Sequence, residues 1–279
     1  MKRILPIFIC ICFFLTACGE STSAASMSNL SDKESVELFS EALKQAAVPE
    51  ENIAVFLSDV AEYNETIKYA GLTEEGFLPF DLTRPDYDFD TISEHWGAKY
   101  PSFLGYNCKI TAFTLLKNMI AIGDCTNAEP SELDMLLQQS PEYVENRFTD
   151  DDIAVFDSLF LTSQYPENAS ETECGDIIIQ AWQNIGVSFS QDTSASLICV
   201  FVNGNVMDKQ NVLFVEHAGV LLRDPEGGYY FIEKLSFQYP YQVLRFSERA
   251  DLQRYLQKAY ADEYDICLIT ENNHIFTAV

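Results

Sequence analysis

Cys108 lies in the segment Gly105–Thr111, where the chain reads GYNCKIT and an apolar helical pattern begins. A thiol in the first turn of a helix meets the positive end of the helix dipole and backbone N–H groups that lack intrahelical partners. Both features favour the thiolate, which is the nucleophilic form of cysteine. The same amides can hold a developing oxyanion, with Asn107 or Tyr106 as an additional donor. The alternative is that Cys108 is a small buried core residue, as free cysteines usually are.

Three histidines could act as a base for this thiol, namely His95, His217 and His274. His95 lies in a loop or a short helix and His274 in a terminal turn, where a surface or packing role is the simplest interpretation. His217 differs because it interrupts an apolar strand predicted over residues 211–222. Strand alternation predicts that it shares one face with Leu213, Val215, Gly219 and Leu221. A buried histidine needs a hydrogen-bond partner, and a backbone carbonyl would satisfy it as well as a catalytic group would.

The next predicted strand, 228–235, offers an acidic partner for His217. If the turn contains residues 223–227, Leu222 pairs with Gly228 and His217 stands opposite Glu233. Directly opposed residues on antiparallel strands have Cβ atoms about 4.5–5.5 Å apart. A carboxylate there would orient the imidazole and stabilise the imidazolium. A four-residue turn would send the two side chains to opposite faces, and Glu233 would then be an ordinary exposed strand residue.

Helical periodicity, N-capping residues and strand alternation predict the elements that position these residues. Helices are expected after the Ser31-Asp32-Lys33-Glu34 capping box, at 49–67, from 107 or 108 to 122, and at 130–139, 150–160, 170–182 and 247–261. Strands are expected at 196–203, 211–222, 228–235, 241–246, 265–270 and 274–279. Residues 71–106 are rich in Pro, Gly, Asp and aromatic residues and are expected to form a long structured loop.

This order of elements predicts an α+β fold in a single domain over residues 31–279. A helical part, 31–190, would pack on an antiparallel sheet formed by 191–279. The 279 residues carry 17 Lys and Arg against 43 Asp and Glu, a formal net charge of -26. Such acidity argues against nucleic-acid binding and against electrostatic docking to anionic lipids, because both need clustered basic residues. No nucleic-acid partner is therefore predicted.

The N-terminus predicts the location of the protein. Residues 1–17 combine a positively charged start with the apolar run 4–15, which is typical of a secretory signal peptide. The segment Leu15–Cys18, LTAC, resembles the lipobox of bacterial lipoproteins, in which the cysteine is acylated and becomes the mature N-terminus. Cys18 would then anchor a tether, 18–30, at the extracytoplasmic face of the cell membrane through its lipid. The alternative is an ordinary cleaved secretory signal.

Five cysteines remain after the signal peptide and Cys18, namely Cys108, Cys125, Cys174, Cys199 and Cys267. Their spacing matches no zinc motif, so neither a metal nor another cofactor is predicted. An extracytoplasmic location permits disulfides, but an odd number leaves at least one thiol free within the molecule.

The order of Cys108 at a helix start, His217 on a strand and Glu233 on the next strand resembles the papain-like cysteine hydrolases. The segment His217-Ala218-Gly219-Val220 is similar to the histidine strand of the NlpC-type and CHAP-type cell-wall amidases. The resemblance implies a papain-like fold and a Cys-His-Glu hydrolase acting on an amide, with cell-wall peptides as the substrate. The chain departs from these enzymes in carrying Asn107 and Lys109 beside the cysteine.

More of the chain resembles an uncharacterised family of Gram-positive lipoproteins, defined by domain of unknown function 4300. The matching segments are Ser28–Lys33, Gly105–Thr111, His217–Val220, Glu233–Lys234 and Phe237–Gln238. This resemblance implies no activity. Two alternatives to a hydrolase therefore stay open, an acyltransferase with the same triad and a non-catalytic ligand-binding or envelope-maintenance lipoprotein that uses the aromatic segment 80–106. No protein partner is indicated.

Overall fold

Helices fill the first two-thirds of the chain, in a computed structural model that describes residues 25–126, 130–206 and 209–278. Within these ranges the α-helices are α1 (Lys33–Gln45), α2 (Glu50–Thr66), α3 (Phe89–Lys99), α4 (Cys108–Leu116), α5 (Glu132–Gln139), α6 (Asp150–Leu159), α7 (Glu171–Asn184) and α8 (Arg249–Tyr260). Side-chain oxygens cap most of them, and α7 begins with a capping box of Ser170 and Glu173. The capping box predicted at Ser31–Glu34 is wrong, because Asp32 is the residue that caps α1 by accepting the Ser35 N–H. None of the described helices has the length and apolar character needed to cross a membrane.

The strands are β1 (Ser26–Ser28), β2 (Leu78–Pro79), β3 (Ile120–Ala121), β4 (Ser163–Gln164), β5 (Ser188–Phe189), β6 (Ser196–Val206), β7 (Lys209–Arg223), β8 (Tyr229–Lys234), β9 (Tyr241–Phe246), β10 (Cys267–Glu271) and β11 (His274–Ile275). One antiparallel sheet has the order β11-β10-β6-β7-β8-β9-β1-β2, and β4 adds a short pairing to β7. β3 and β5 form a separate pair. The predicted α+β class, with a helical part before an antiparallel sheet, is confirmed.

Three features differ from the sequence prediction. The expected loop 71–106 contains α3, which Asp88 caps and whose buried face is formed by Ile92 and Trp96 one turn apart. The expected tether 18–30 reaches into the domain, because β1 pairs with β9 and Asn29 is fully buried. Helix α4 is shorter than expected, because Ile120–Ala121 leaves the helical path to pair with β5. The predicted signal peptide and Cys18 lie outside the described residues.

The main sheet buries both faces. On one face, Val220, Ile232 and Val243 belong to the large core that also contains residues of α1, α2, α4 and α7. On the other face, Leu221 and Phe231 pack with residues of α8. Alternation along each strand therefore sends neighbouring residues into two different cores.

A β-bulge at Glu216 decides which core His217 joins. Val200 pairs with His217, but the next residue of β6, Phe201, pairs with Val215, so Glu216 is an extra residue in β7. The bulge reverses the alternation of side chains along β7. Val215 belongs to the helix-rich core, whereas His217 pairs with Val200, which belongs to the core packed on α8. The prediction that His217 shares a face with Leu213 and Val215 is wrong, because unbroken alternation does not include the bulge.

The register between β7 and β8 is also shifted from the prediction. Arg223 pairs with Tyr229, so the turn contains residues 224–228 and Glu233 pairs with Gly219 rather than with His217. Gly228 belongs to the turn, because its φ is +96° and a Cβ there would lie 2.3 Å from the Phe246 carbonyl oxygen. The shift moves the pairing by two residues, an even number, so Glu233 and His217 still lie on the same face.

Candidate active site

Cys108 is the first residue of α4, and Asn107 makes that helix start. The Asn107 side-chain oxygen accepts the Ile110 N–H at 3.0 Å, which caps the helix. Cys108 is 6% exposed. The cap uses the oxygen of the Asn107 amide, so the part of this side chain that can donate to an oxyanion is Nδ2.

Tyr106 does not fit its predicted part in an oxyanion hole. Its hydroxyl donates to the Tyr143 carbonyl at 2.9 Å, and the Arg147 guanidinium lies 4.2 Å from the centre of its ring. Tyr106 lines a cavity with Arg147 and Tyr143 instead of the groove at Cys108. Its hydroxyl is therefore already bonded elsewhere, which leaves the backbone amide of Cys108 and Asn107 Nδ2 as the donors next to the thiol.

A break in strand pairing gives the start of α4 access to the sheet. Two strands pair with the same edge of β7. The pairing with β8 ends at Gly219, and the pairing with β4 involves Val212 and Leu213. Residues 214–218 lie between these two pairings. A groove of about 440 Å³, which we call the Cys108 groove, is lined here by Cys108 together with Phe214, Val215 and Glu216.

His217 and Glu233 form a buried pair beside this break. His217 Nε2 lies 2.5 Å from Glu233 Oε2, and each residue is 1% exposed. The imidazole stacks on Tyr260 of α8, with ring centres 5.4 Å apart and planes inclined by 24°. Packing against α8 therefore holds the ring while the carboxylate fixes one of its nitrogens.

The Cys108 thiol lies near enough to the same imidazole to affect its pKa. Burial by itself disfavours the imidazolium, but the charge of Glu233, the influence of the Cys108 thiol and the hydrogen bond with Glu233 raise the pKa of His217 to about 9. His217 Nδ1 has no hydrogen-bond partner among the described residues, so it is the ring nitrogen left open for the thiol. The structure thus brings together the three residues that the sequence predicted as a site.

Two further residues hold Glu233. Its Oε1 accepts hydrogen bonds from Gln242 Nε2 at 2.6 Å and from the Tyr255 hydroxyl at 2.5 Å. Gln242 is on β9 directly opposite Glu233, and Tyr255 comes from α8. Neither residue was predicted from the sequence. The polar Gln242 in the apolar strand 241–246 was a usable signal, whereas only tertiary structure brings Tyr255 to Glu233.

Lys234 secures the segment that leads to Cys108. Lys234 is 1% exposed, and its ammonium donates to the carbonyls of Phe237 at 2.7 Å and Tyr239 at 2.5 Å in the 236–239 turn. Burial lowers the pKa of Lys234 well below its ordinary value. The turn lies against Gly105, where a Cβ would be 2.6 Å from the Phe237 carbonyl oxygen. A residue without a side chain is therefore required at the approach to α4.

The walls of the Cys108 groove are apolar and acidic. Phe160, Leu161 and Phe214 supply apolar surface, and Lys109 pairs with Glu132 at 2.7 Å. Asp157 accepts a hydrogen bond from Ser131, and burial together with the neighbouring charges raises its pKa to about 6. Carboxylates outnumber ammonium groups along this wall, which favours cationic groups in the groove.

No group of three or more His, Cys, Asp or Glu residues could hold a metal ion in the part of the chain that the structure describes. Cys108, Cys125, Cys174, Cys199 and Cys267 are all free thiols.

The comparisons with known proteins identify a family without an assigned activity. The family described as a domain of unknown function (DUF4300) matches residues 26–276, which is most of the chain. No curated protein and no solved structure matches. The matched range begins at β1, in agreement with the folded position of that strand.

Proposed function

The chain belongs to the DUF4300 family, and from the geometry of its buried cysteine we propose that it is a cysteine-dependent hydrolase of amide or thioester bonds. The observation that carries this proposal is the assembly of Cys108, His217 and Glu233. A helix start supplies the thiol, β7 the imidazole and β8 the carboxylate, which is the arrangement expected of a nucleophile, its base and an orienting group. The helix packed on an antiparallel sheet supports a papain-like relationship for the fold.

The first half of the reaction uses Cys108 as nucleophile. The raised pKa of His217 favours the imidazolium at neutral pH, and a positive charge beside Cys108 favours attack by the thiolate. Sulfur attacks the carbonyl carbon, the carbon–sulfur bond forms, and the electron pair of the C=O bond moves to oxygen. The Cys108 amide and Asn107 Nδ2 are the donors for that oxygen.

The second half regenerates the thiol. The tetrahedral intermediate collapses, the bond to the leaving group breaks, and His217 donates its proton to that group. His217 then accepts a proton from a water molecule as that water attacks the thioester. The bond between the carbonyl carbon and Cys108 Sγ breaks, the carboxylic acid leaves, and the thiol of Cys108 is restored. The charge of Glu233, which raises the pKa of His217, stabilises the imidazolium.

The substrate and location follow as parts of the same proposal. Cleavage of the signal before Cys18 and acylation of its sulfur would place the domain on the outer face of the cell membrane, where cell-wall peptides are the available amides. The acidic wall of the Cys108 groove supports a peptide that carries an amino group.

The aromatic segment favours the hydrolase over the ligand-binding alternative. Trp96, Tyr100 and Phe103 pack on one another and on Tyr143, with the Phe103 and Tyr143 rings stacked at 4.0 Å. Trp96 is 4% exposed. The cavity that these rings line has a volume of about 100 Å³. That is smaller than the roughly 300–1,000 Å³ of an ordinary ligand pocket, so the cluster offers little room to a ligand.

The test is the alkylation rate of Cys108 against pH, followed by mass spectrometry of the Cys108 peptide in the detergent-solubilised full chain. We expect fast alkylation near neutral pH that slows at least tenfold at pH 7 in His217→Ala, because the imidazolium stabilises the thiolate. His95→Ala, which removes a histidine outside the site, should match the wild type. Slow alkylation that does not depend on His217 would make Cys108 an inert core residue and refute the proposal.

A further inference from the structure

A chain of buried hydrogen bonds begins at the backbone of Thr73. The Thr73 N–H donates to Asn29 Oδ1 at 3.0 Å. A backbone N–H can only donate, so the orientation of the Asn29 amide is determined without ambiguity. Asn29 Nδ2 must then be the atom that donates to the Tyr87 hydroxyl at 2.9 Å and to the Tyr241 carbonyl at 2.8 Å.

The direction of donation passes from Tyr87 to Glu233. Because the Tyr87 oxygen accepts from Asn29, its own proton is free for Gln242 Oε1, which lies 2.9 Å away. Burial raises the pKa of Tyr87 above its ordinary value, so the hydroxyl keeps this proton. Gln242 therefore presents its Nε2 to Glu233 Oε1, at 2.6 Å.

The last member of the chain is His217. Glu233 accepts from Gln242 and Tyr255 on one oxygen, and its other oxygen lies 2.5 Å from His217 Nε2, beside which its charge raises the pKa of the imidazole. Nε2 must then carry a proton, and in the neutral imidazole the lone pair is left on Nδ1. Asn29, Tyr87 and Gln242 are each at most 6% exposed, so bulk water does not reverse the direction of these bonds.

We propose that Asn29, Tyr87 and Gln242 are positioning residues that set the neutral His217 ring to the Nε2–H tautomer, so that Nδ1 is the nitrogen that exchanges a proton with Cys108. The tautomer follows from these hydrogen bonds together with the negative charge of Glu233 beside Nε2. Only the role of Nδ1 as the base for Cys108 rests on the proposed hydrolase function. The segment after β1, where Asn29 lies, would thus be part of the active site although its residues do not contact Cys108 or His217.

The test observes the ring nitrogens of His217 by NMR in the detergent-solubilised full chain, labelled with ¹⁵N-histidine. The chain has three histidines, and His217→Gln assigns the signal. Spectra recorded more than one unit above the His217 pKa of about 9 report the neutral ring. The wild type should show the Nε2–H tautomer alone.

Tyr87→Phe removes the hydroxyl that links Asn29 to Gln242. We expect the tautomer ratio to move about tenfold towards Nδ1–H, the effect of one buried hydrogen bond. The matched control is Tyr230→Phe, since Tyr230 is fully buried and its hydroxyl has no hydrogen-bond partner among the described residues. This variant should leave the ratio unchanged. Asn29→Asp, which still accepts from Thr73 but cannot donate to Tyr87, should act like Tyr87→Phe.

Nδ1–H or a mixed population in the wild type would overturn the inference, whatever the behaviour of the Tyr87 and Asn29 variants. An unchanged ratio in both Tyr87→Phe and Asn29→Asp would also overturn it. The two proposals can fail separately. If the wild type shows Nε2–H but the alkylation rate of Cys108 does not depend on His217, the hydrolase is refuted and the chain of hydrogen bonds stands.

Discussion

Replacing Glu233 with glutamine removes the charge beside His217 while keeping the size of the side chain. In the wild type, the carboxylate lies 2.5 Å from Nε2 in a site closed to water. Glutamine leaves the burial of the imidazole and removes the charge that offsets it. We therefore expect the pKa of His217 to fall in Glu233→Gln, and the pH dependence of folding to change with it.

The magnitude follows from the raised pKa of His217. The folded protein holds the proton up to a pKa of about 9, whereas an unfolded histidine releases it near 6.5. The difference of about 2.5 pH units, at 1.36 kcal/mol each, is about 3 kcal/mol. This stabilisation is complete below pH 6.5 and is lost as the pH rises to 9. Glu233→Gln should lack this decline.

The assay is urea unfolding under reducing conditions at several pH values between 6 and 9.5, followed by tryptophan fluorescence. Trp96 and Trp182 are both buried, so their emission reports unfolding. A Cys108→Ala background isolates the contribution of Glu233 from that of the thiol. If the free energy of unfolding depends on pH in the same way with and without Glu233, the charge does not raise the pKa of His217 and the reasoning fails.

Three further predictions concern the surroundings of the thiol. Lys234→Met leaves buried carbonyls of the 236–239 turn without donors. The free energy of unfolding, measured in urea, should fall by about 2–4 kcal/mol. An unchanged value would show that the turn does not need the side-chain nitrogen of Lys234. Gly105→Ala places a Cβ at a φ of +95° and against a backbone carbonyl, so alkylation of Cys108 should slow severalfold even where circular dichroism remains native. A cationic thiol reagent should modify Cys108 about tenfold faster than an anionic one of equal size at low ionic strength, and Asp157→Asn should reduce that ratio; equal rates in the wild type would contradict the acidic character of the groove.

The local chemistry of the sequence determined most elements. The capping serine of α7 and the alternation of β9 gave bounds close to those observed, because capping and strand alternation act over a few residues. A related reason made the site residues identifiable, namely Cys108, His217 and Glu233. A polar or reactive side chain inside an apolar segment needs a hydrogen-bond partner or a function, because its apolar neighbours offer it no hydrogen bond.

Helix α3 shows where local patterns fail. Its two buried positions, Ile92 and Trp96, occur in a segment whose Pro, Gly and aspartates are typical of loops. The helix is stable because Trp96 packs on Tyr63 of α2, a contact with a distant part of the chain, and donates to the Phe103 carbonyl at 2.8 Å just beyond the end of α3. Tertiary packing therefore overrides a weak local preference.

Only the tertiary structure decided how the site is assembled. The bulge at Glu216 and the turn at 224–228 choose the face and register of His217 and Glu233, and both depend on how the strands fit against two different cores. Tyr255 reaches the same network from 22 residues after Glu233, and Asn29 reaches it from the position directly after β1. The sequence by itself determined which residues carry chemistry, because that is a property of each side chain. Their hydrogen-bond partners and proton positions were decided by folding, because those depend on atoms that only packing brings within 3 Å.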